Sequence, residues 1–182
     1  MTLQTTGCTL IQQHMVSAAH RGHWFRLQPP EALDRSLSAT QFVVFRHGET
    51  SVSTLNQVEW GTDRVAIAAL SHMGGPLFTL EYENGHLESH ASEQLPDKFH
   101  TGYVLTDYQL AYLPVAAVRS GIRDASLRVT QTGDERQIMT GDTLLVSIHY
   151  EFTDPWQGKV TLRHLQYGYS LEFNTIEAET EQ

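Results

Sequence analysis

At 182 residues, with 40% apolar and 18% charged side chains, the chain is long enough for one domain with a buried core and too apolar for a disordered one. Its formal net charge of −9, with 12 scattered Lys and Arg and no basic run, argues against a nucleic-acid binder, whose affinity comes mainly from such residues. No uninterrupted apolar run reaches the length of about 18 residues that would predict a membrane-spanning helix.

The first element with chemical meaning is Cys8, the one cysteine, which excludes an internal disulfide. Its setting "LQTTGC" places Gly7 directly before it, as at a bacterial lipoprotein cleavage site, although Thr5 stands where a Leu is expected. Nothing before Cys8 is long enough for the apolar core of a signal peptide, so an acylated Cys8 requires a longer precursor. The alternative is a plain thiol near a loose terminus. Residues 8–40 read as irregular, with "QPP" at 28–30 and a short helix near 10–19. His20 and His23 have ligand-like spacing, but no Cys or acidic pair nearby completes a metal site.

From Gln41 onward the texture turns to β. The stretch "FVVFRHGET" at 42–50 matches the way histidine phosphatases present a phosphate-accepting histidine, here His47, with His72 of "LSHMGG" as a second histidine. Only 25 positions separate the two, and no helix of crossover length fits between them, so parallel pairing of their strands has no connection to make it. The simpler reading is a hairpin bending at His47 and Gly48.

"FTLEYENGHLESH" alternates Phe78, Leu80 and Tyr82 with polar residues, and Asn84-Gly85 supplies a tight hairpin turn. His86 and His90 share a strand side but stand too far apart for one ion. "TGYVLTDYQLAYLPVAAVRSGI" breaks the pattern with a helical stripe of Val104, Tyr108 and Tyr112, widened by Leu105 and Ala111. Thr101 would cap it, Pro114 would end it before a second short helix at 115–120, and Gly121 would stop that one.

Beyond it, "LLVSIHYEF" places Leu144, Val146, Ile148, Tyr150 and Phe152 on one face. "LQYGYSLEF" does the same for Leu165, Tyr167, Tyr169, Leu171 and Phe173. His149 and His164 fall on polar faces, and Asp154-Pro155-Trp156 reads as a turn with a packing aromatic. The closing "EAETEQ" reads as a frayed acidic tail.

These elements predict a mainly β (α+β) fold, a curved antiparallel sheet or incomplete barrel with a helical lid inserted at 101–120. The expected division is an N-terminal anchor or linker over 1–34, the domain over 35–177 and a tail over 178–182. Phe42, Val44, Val58, Trp60, Phe78, Leu80, Tyr82, Leu144, Val146, Ile148 and Leu171 would line one concave apolar face. Tyr108, Leu110 and Tyr112 of the lid would meet it. That face is either an ordinary packed core or a cavity for a fatty chain. No P-loop, dinucleotide fingerprint or Ser-His-Asp elbow is present.

"GPLFTLEYENGHLESHASEQLPDKF", "VLTDYQLAYLPVAAVRSGI" and "DTLLVSIHYE", followed by "DPWQGKVTLRHLQYGYSLEFNTIE", together resemble a family of uncharacterised small proteobacterial lipoproteins over residues 35–177. Their most specific marks are Phe78-Thr79-Leu80, the "DYQL" at 107–110 with Pro114 behind it, and the closing "YGYSLE". Members of that family are often encoded beside fatty-acid-type genes for aryl-polyene lipids, and are similar to LolA and LolB, the periplasmic carrier and outer-membrane acceptor of lipoproteins. The resemblance implies a non-enzymatic, cofactor-free monomer anchored through Cys8 on the periplasmic face of the outer membrane. It implies binding of an acyl or polyene lipid, or a lipoprotein's acyl chains, in the apolar cavity. A lipoprotein that scaffolds a partner protein is the alternative.

Overall fold

Alternating apolar and polar side chains can bury only one face of a strand, so a chain of such segments joined by short turns folds into a meander with one covered face. The computed structural model describes residues 24–95 and 99–180. In chain order it has a 3-10 turn Pro30–Ala32, then β1 Leu37–His47, β2 Thr50–Trp60, β3 Arg64–Leu70, β4 Pro76–Glu83 and β5 His86–Ala91. The helices α1 Thr101–Tyr112 and α2 Val115–Gly121 follow. After them come β6 Leu127–Thr132, β7 Glu135–Thr140, β8 Thr143–Tyr150, β9 Lys159–His164 and β10 Tyr169–Thr180.

The ten strands form one open, curved, wholly antiparallel sheet in the order β5-β4-β3-β2-β1-β10-β9-β8-β7-β6. Every neighbouring pair is a hairpin except β1–β10, which joins the two ends of the chain in the middle of the sheet. The helices connect the two outermost strands, β5 and β6, and the longer one lies on the sheet's inner face. The expected turns recur: Asn84 and Gly85 have φ of 52° and 78°, and Gly48, at φ 58°, bends the β1–β2 hairpin where His47 faces Thr50. His47 therefore ends a strand in an antiparallel hairpin, without the strand-to-helix turn a phosphate-accepting histidine needs.

Register decides which residues face inward. From Leu37 to Val43 in β1 the odd-numbered residues point in, so Gln41 and Val43 are buried while Phe42 is 42% exposed on the outer face. Val44 shares that outer side by alternation and, although covered, stands outside the core cluster. This corrects the expectation that Phe42 and Val44 line the concave face: one residue of register moves every side chain to the opposite side, and four apolar residues in five gave no alternation to fix it. A bulge in β8, opposite Ile138 and Met139, leaves Leu145 as the extra residue, and Leu145, not Leu144, packs on the core.

Four further expectations are corrected. Leu165 lies in the β9–β10 turn and is exposed, so the strand begins only at Tyr169. His164 alternates with Val160 and Leu162 and is buried inside. Residues 178–180 are no frayed tail, because Thr180, Glu179 and Ala178 pair with Leu37, Ser38 and Ala39. Nor are residues 24–34 a free linker. They form a strap in which Phe25 bridges Ile122, Arg26 N–H donates to Gly121 O at 2.8 Å, and Trp60 Nε1–H donates to Pro30 O at 2.9 Å. Gly121 is the last residue of α2 and lacks the positive φ of a glycine stop; it is required for a steric reason, because a Cβ there would collide with the Phe25 ring and lie 2.9 Å from Arg26 O.

Candidate functional site

The inner face is apolar apart from a few polar residues, and registration shows where they sit. Asn56 pairs with Gln41, which pairs with Thr175, so three polar side chains stand side by side across β2, β1 and β10. Valines, isoleucine, leucines and aromatics surround them: Val58, Trp60, Ile67, Phe78, Leu80, Val43 and Phe173 are all buried. A helix docking on such a face must offer a polar group at the same spot, or the amides lose their water without compensation.

Helix α1 does so with two tyrosines one turn apart. Asn56 Nδ2 donates to the Tyr108 hydroxyl at 2.9 Å, and Gln41 Nε2 donates to the Tyr112 hydroxyl at 2.8 Å and to Thr175 Oγ1 at 3.0 Å. Thr54 Oγ1 completes the island by donating to Asn56 Oδ1 at 2.7 Å. Around these bonds the rings interlock. Tyr112 stacks on Trp156 at 4.0 Å, Tyr108 meets Phe173 edge-on at 4.9 Å, and Tyr112 meets Phe173 at 5.6 Å. Burial pushes both phenols above the ordinary tyrosine range, so they act here as neutral hydrogen-bonding groups.

The rest of α1 is held by polar contacts at its periphery. Thr101 does not cap the helix: His100 is the N-cap, and Thr101 Oγ1 instead donates to Ser89 Oγ of β5 at 2.7 Å. Asp107 accepts the Tyr169 phenol proton, with its two oxygens at 2.8 and 3.0 Å, and Tyr169 in turn stacks on His164 at 5.1 Å. Gln109 Nε2 donates to Gln28 O at 2.8 Å while its Oε1 accepts Gln28 N–H at 2.7 Å, clasping α1 to the strap.

The C-terminal end of α1, broken by Pro114, is met from the sheet. Arg136 of β7 donates through Nη1 to Leu110 O, and the Tyr150 hydroxyl donates to Ala111 O at 2.8 Å. The guanidinium also donates through Nε and Nη2 to Gln131 Oε1, at 3.0 and 2.9 Å, and its carbon stands 5.5 Å from the centre of the Tyr150 ring. Burial lowers the Arg136 pKa, the neighbouring phenol opposing the shift. Burial raises that of Tyr150 to about 12, the nearby Arg136 charge opposing it.

The structure thus places Val58, Trp60, Phe78, Leu80, Tyr82, Val146 and Ile148 in one buried core with Tyr108, Leu110 and Tyr112, and Leu171 packs on its edge. Phe42, Val44 and Leu144 are not part of it. Cys8, His20 and His23 lie outside the described residues. Among the described residues no three metal-ligating side chains converge. Sequence reasoning overlooked Gln41, Asn56, Asp107, Gln109 and Arg136, polar residues that patterning assigns to solvent. Only the strict alternation of their apolar neighbours, Val58 and Trp60 beyond Asn56 or Ile138 beyond Arg136, marks them as inward.

Residues 38–177 match the family described as "Protein of unknown function (DUF3261)". No curated protein matches the chain. Among solved structures it is similar to a putative outer membrane lipoprotein-sorting protein domain from Vibrio parahaemolyticus, at 10% identity and a TM-score of 0.40, over 85% of this chain and 92% of that one. It is also similar to a DUF1329 family protein from Desulfovibrio piger, at 6% identity and a TM-score of 0.34, over 84% and 89% of the two chains. At these scores the likeness decides nothing about activity.

Proposed function

This chain belongs to the DUF3261 family, and from its geometry we propose that it is a non-enzymatic carrier or acceptor of acyl chains. The bound group would be an acyl or polyene lipid, or the acyl groups of a lipoprotein, received on the inner face of the sheet where α1 now lies. One observation supports this above the others. An open sheet of ten strands covers its apolar inner face with two short helices and the 24–34 strap, the longer helix tied down by isolated polar contacts, instead of with a second sheet.

The magnitudes make an exchange feasible. Burying Leu105, Tyr108, Leu110 and Tyr112 of α1 is worth roughly 2 kcal/mol apiece, about 8 kcal/mol together. A chain of about fourteen carbons, at about 0.8 kcal/mol per methylene, brings roughly 11 kcal/mol to the same surface. Ligand and helix are therefore near-equal competitors for the inner face, and a small bias from a donor or a membrane would tip the exchange. The strap residues bonded to Gln109 would travel with the helix. Acylation of Cys8 would tether the carrier to the periplasmic face of the outer membrane, three acyl chains giving a firm anchor where one gives a marginal one. The packing of Tyr112 on Trp156 and Phe173 favours the second reading, a scaffold whose interior admits nothing.

Uptake of a fluorescent fatty acid separates the two. In a Cys8→Ser background, the pair Ser89→Cys and Thr101→Cys would fasten the start of α1 to β5, where the native hydroxyls stand 2.7 Å apart. The carrier binds the probe when this pair is reduced and fails to when it is oxidised. Absence of binding in both states overturns the carrier reading in favour of the scaffold.

A further inference from the structure

The inner face holds one full charge with no opposite charge beside it. Arg136 is 4% exposed, and among the described residues no carboxylate pairs with it. The arginines that do form ion pairs, Arg35 with Asp154, Arg46 with Glu172 and Arg64 with Glu59 and Glu81, all lie at the surface. The chain has 21 acidic residues to draw on, so the missing counter-ion is not a matter of supply. What faces the guanidinium is neutral: the Gln131 amide oxygen, the Leu110 carbonyl and the Tyr150 ring.

Capping α1 accounts for the contacts but not for the charge. A helix C-terminus is satisfied by neutral donors, as the Tyr150 hydroxyl shows at Ala111 O. Removing a charged group from water costs several kcal/mol even after relaxation. The helix dipole returns only part of that.

Pairing runs Phe45 to Leu171, Leu171 to Leu162, Leu162 to Ile148, and Ile148 to Arg136. These five residues form a row straight across β1, β10, β9, β8 and β7, apolar for four members and cationic at the fifth. Four inter-strand steps span about 19 Å, the length of a long acyl chain. When α1 leaves, it takes Leu110 O away and frees a planar fork that matches an oxyacid group through two parallel hydrogen bonds.

We propose that Arg136 is the specificity-determining residue of the acyl site, selecting chains that end in an anionic oxyacid group, with the tail along Ile148, Leu162 and Leu171. This rests on the carrier reading and adds to it the class of ligand. A carboxylate of a free fatty acid and a phosphate of a lysophospholipid share the chemistry.

The test compares parinaric acid, whose fluorescence rises in an apolar site, with its methyl ester. Wild-type protein is expected to bind the acid at least tenfold more tightly than the ester. Arg136→Gln should bring the two within about twofold by weakening the acid alone, and Arg136→Lys, which keeps the charge without the fork, should retain part of the preference. A cap with no ligand role would instead weaken acid and ester equally, and that result overturns the proposal. So does a wild-type protein that binds both alike, an outcome that leaves the carrier reading standing. If neither probe binds, both readings fall. Should Arg136→Gln not fold, the wild-type ratio and Arg136→Lys decide. Displacement of parinaric acid by palmitic acid, by lysophosphatidic acid or by both supports the corresponding source, and displacement by neutral monoacylglycerol with equal potency overturns the selection.

Discussion

Replacing Tyr108 with Phe removes one oxygen from the interior and tests whether the space beneath α1 is dry. Asn56 Nδ2 donates to that oxygen at 2.9 Å, and both residues are almost wholly buried. The Phe ring keeps its contact with Phe173, so the transfer and cavity terms change little. What remains is an amide donor with its partner gone, a loss of about 1–3 kcal/mol. At about 2 kcal/mol, a chain of this size should melt roughly 4–8 °C lower. Asn56→Leu should cost a similar amount by stranding the phenol, whereas Asn56→Leu with Tyr108→Phe removes donor and acceptor together and should be nearly neutral relative to either single change. Urea denaturation of the four proteins with an unchanged m-value closes the cycle and should give a coupling energy of about 2 kcal/mol. If Tyr108→Phe costs under about 0.5 kcal/mol and the coupling vanishes, water reaches Asn56, and the helix does not seal the inner face.

Three other outcomes are expected. Gly121→Ala should destabilise by about 1–3 kcal/mol, because the new Cβ meets the Phe25 ring and the Arg26 carbonyl, and limited proteolysis should then cut the strap near Trp24 faster than in wild type. Val43→Ala should cost roughly 2 kcal/mol of core burial, while Phe42→Ser on the outer face should stay within about 0.5 kcal/mol; the reverse order in denaturant melts would refute the observed register of β1. Tyr108, Tyr112 and Tyr150 have folded pKa values raised above the unfolded value of about 10. Their stabilising contribution is therefore complete below pH 10 and lost as pH rises through the folded values, about 12 for Tyr150. Phenolate absorbance assigned to these three, by difference from single Tyr→Phe variants, should appear only together with the loss of near-UV circular dichroism.

Much of the sheet was legible because its signals are local. Asn84-Gly85 between alternating runs dictates a hairpin, and the 25 residues between His47 and His72 exclude a crossover helix, so neighbours in sequence had to be neighbours in space. The helix break at Pro114 follows from one residue's missing N–H. Where the reading failed, the deciding contact was distant. Whether Val43 or Val44 points inward depends on β10, more than a hundred residues away, which pairs Val43 with Phe173. The closing strand itself, beyond 177, looked like a tail because its acidic residues are patterned for solvent on an edge that only Leu37 to Ala39 can reveal.

The site was legible only in its apolar half, for a physical reason. Hydrophobic periodicity reports which positions leave water, and it reports them most clearly when every inward residue is apolar. The inner face here departs from that rule where it meets α1: Gln41, Asn56 and Thr175 from the sheet, Tyr108 and Tyr112 from the helix. A face meant only to be sealed would gain by replacing Gln41 and Asn56 with leucine and the tyrosines with phenylalanine, since an apolar pair removes any risk of a stranded donor. Polar pairs across an otherwise apolar seam instead fix where the helix sits and leave each half able to take water when it departs. Both properties suit a helix that must return to the same place after being displaced. Arg136 at the far end of the row from Phe45 is the strongest case, because a buried guanidinium with neutral partners has the most to gain from an anionic one.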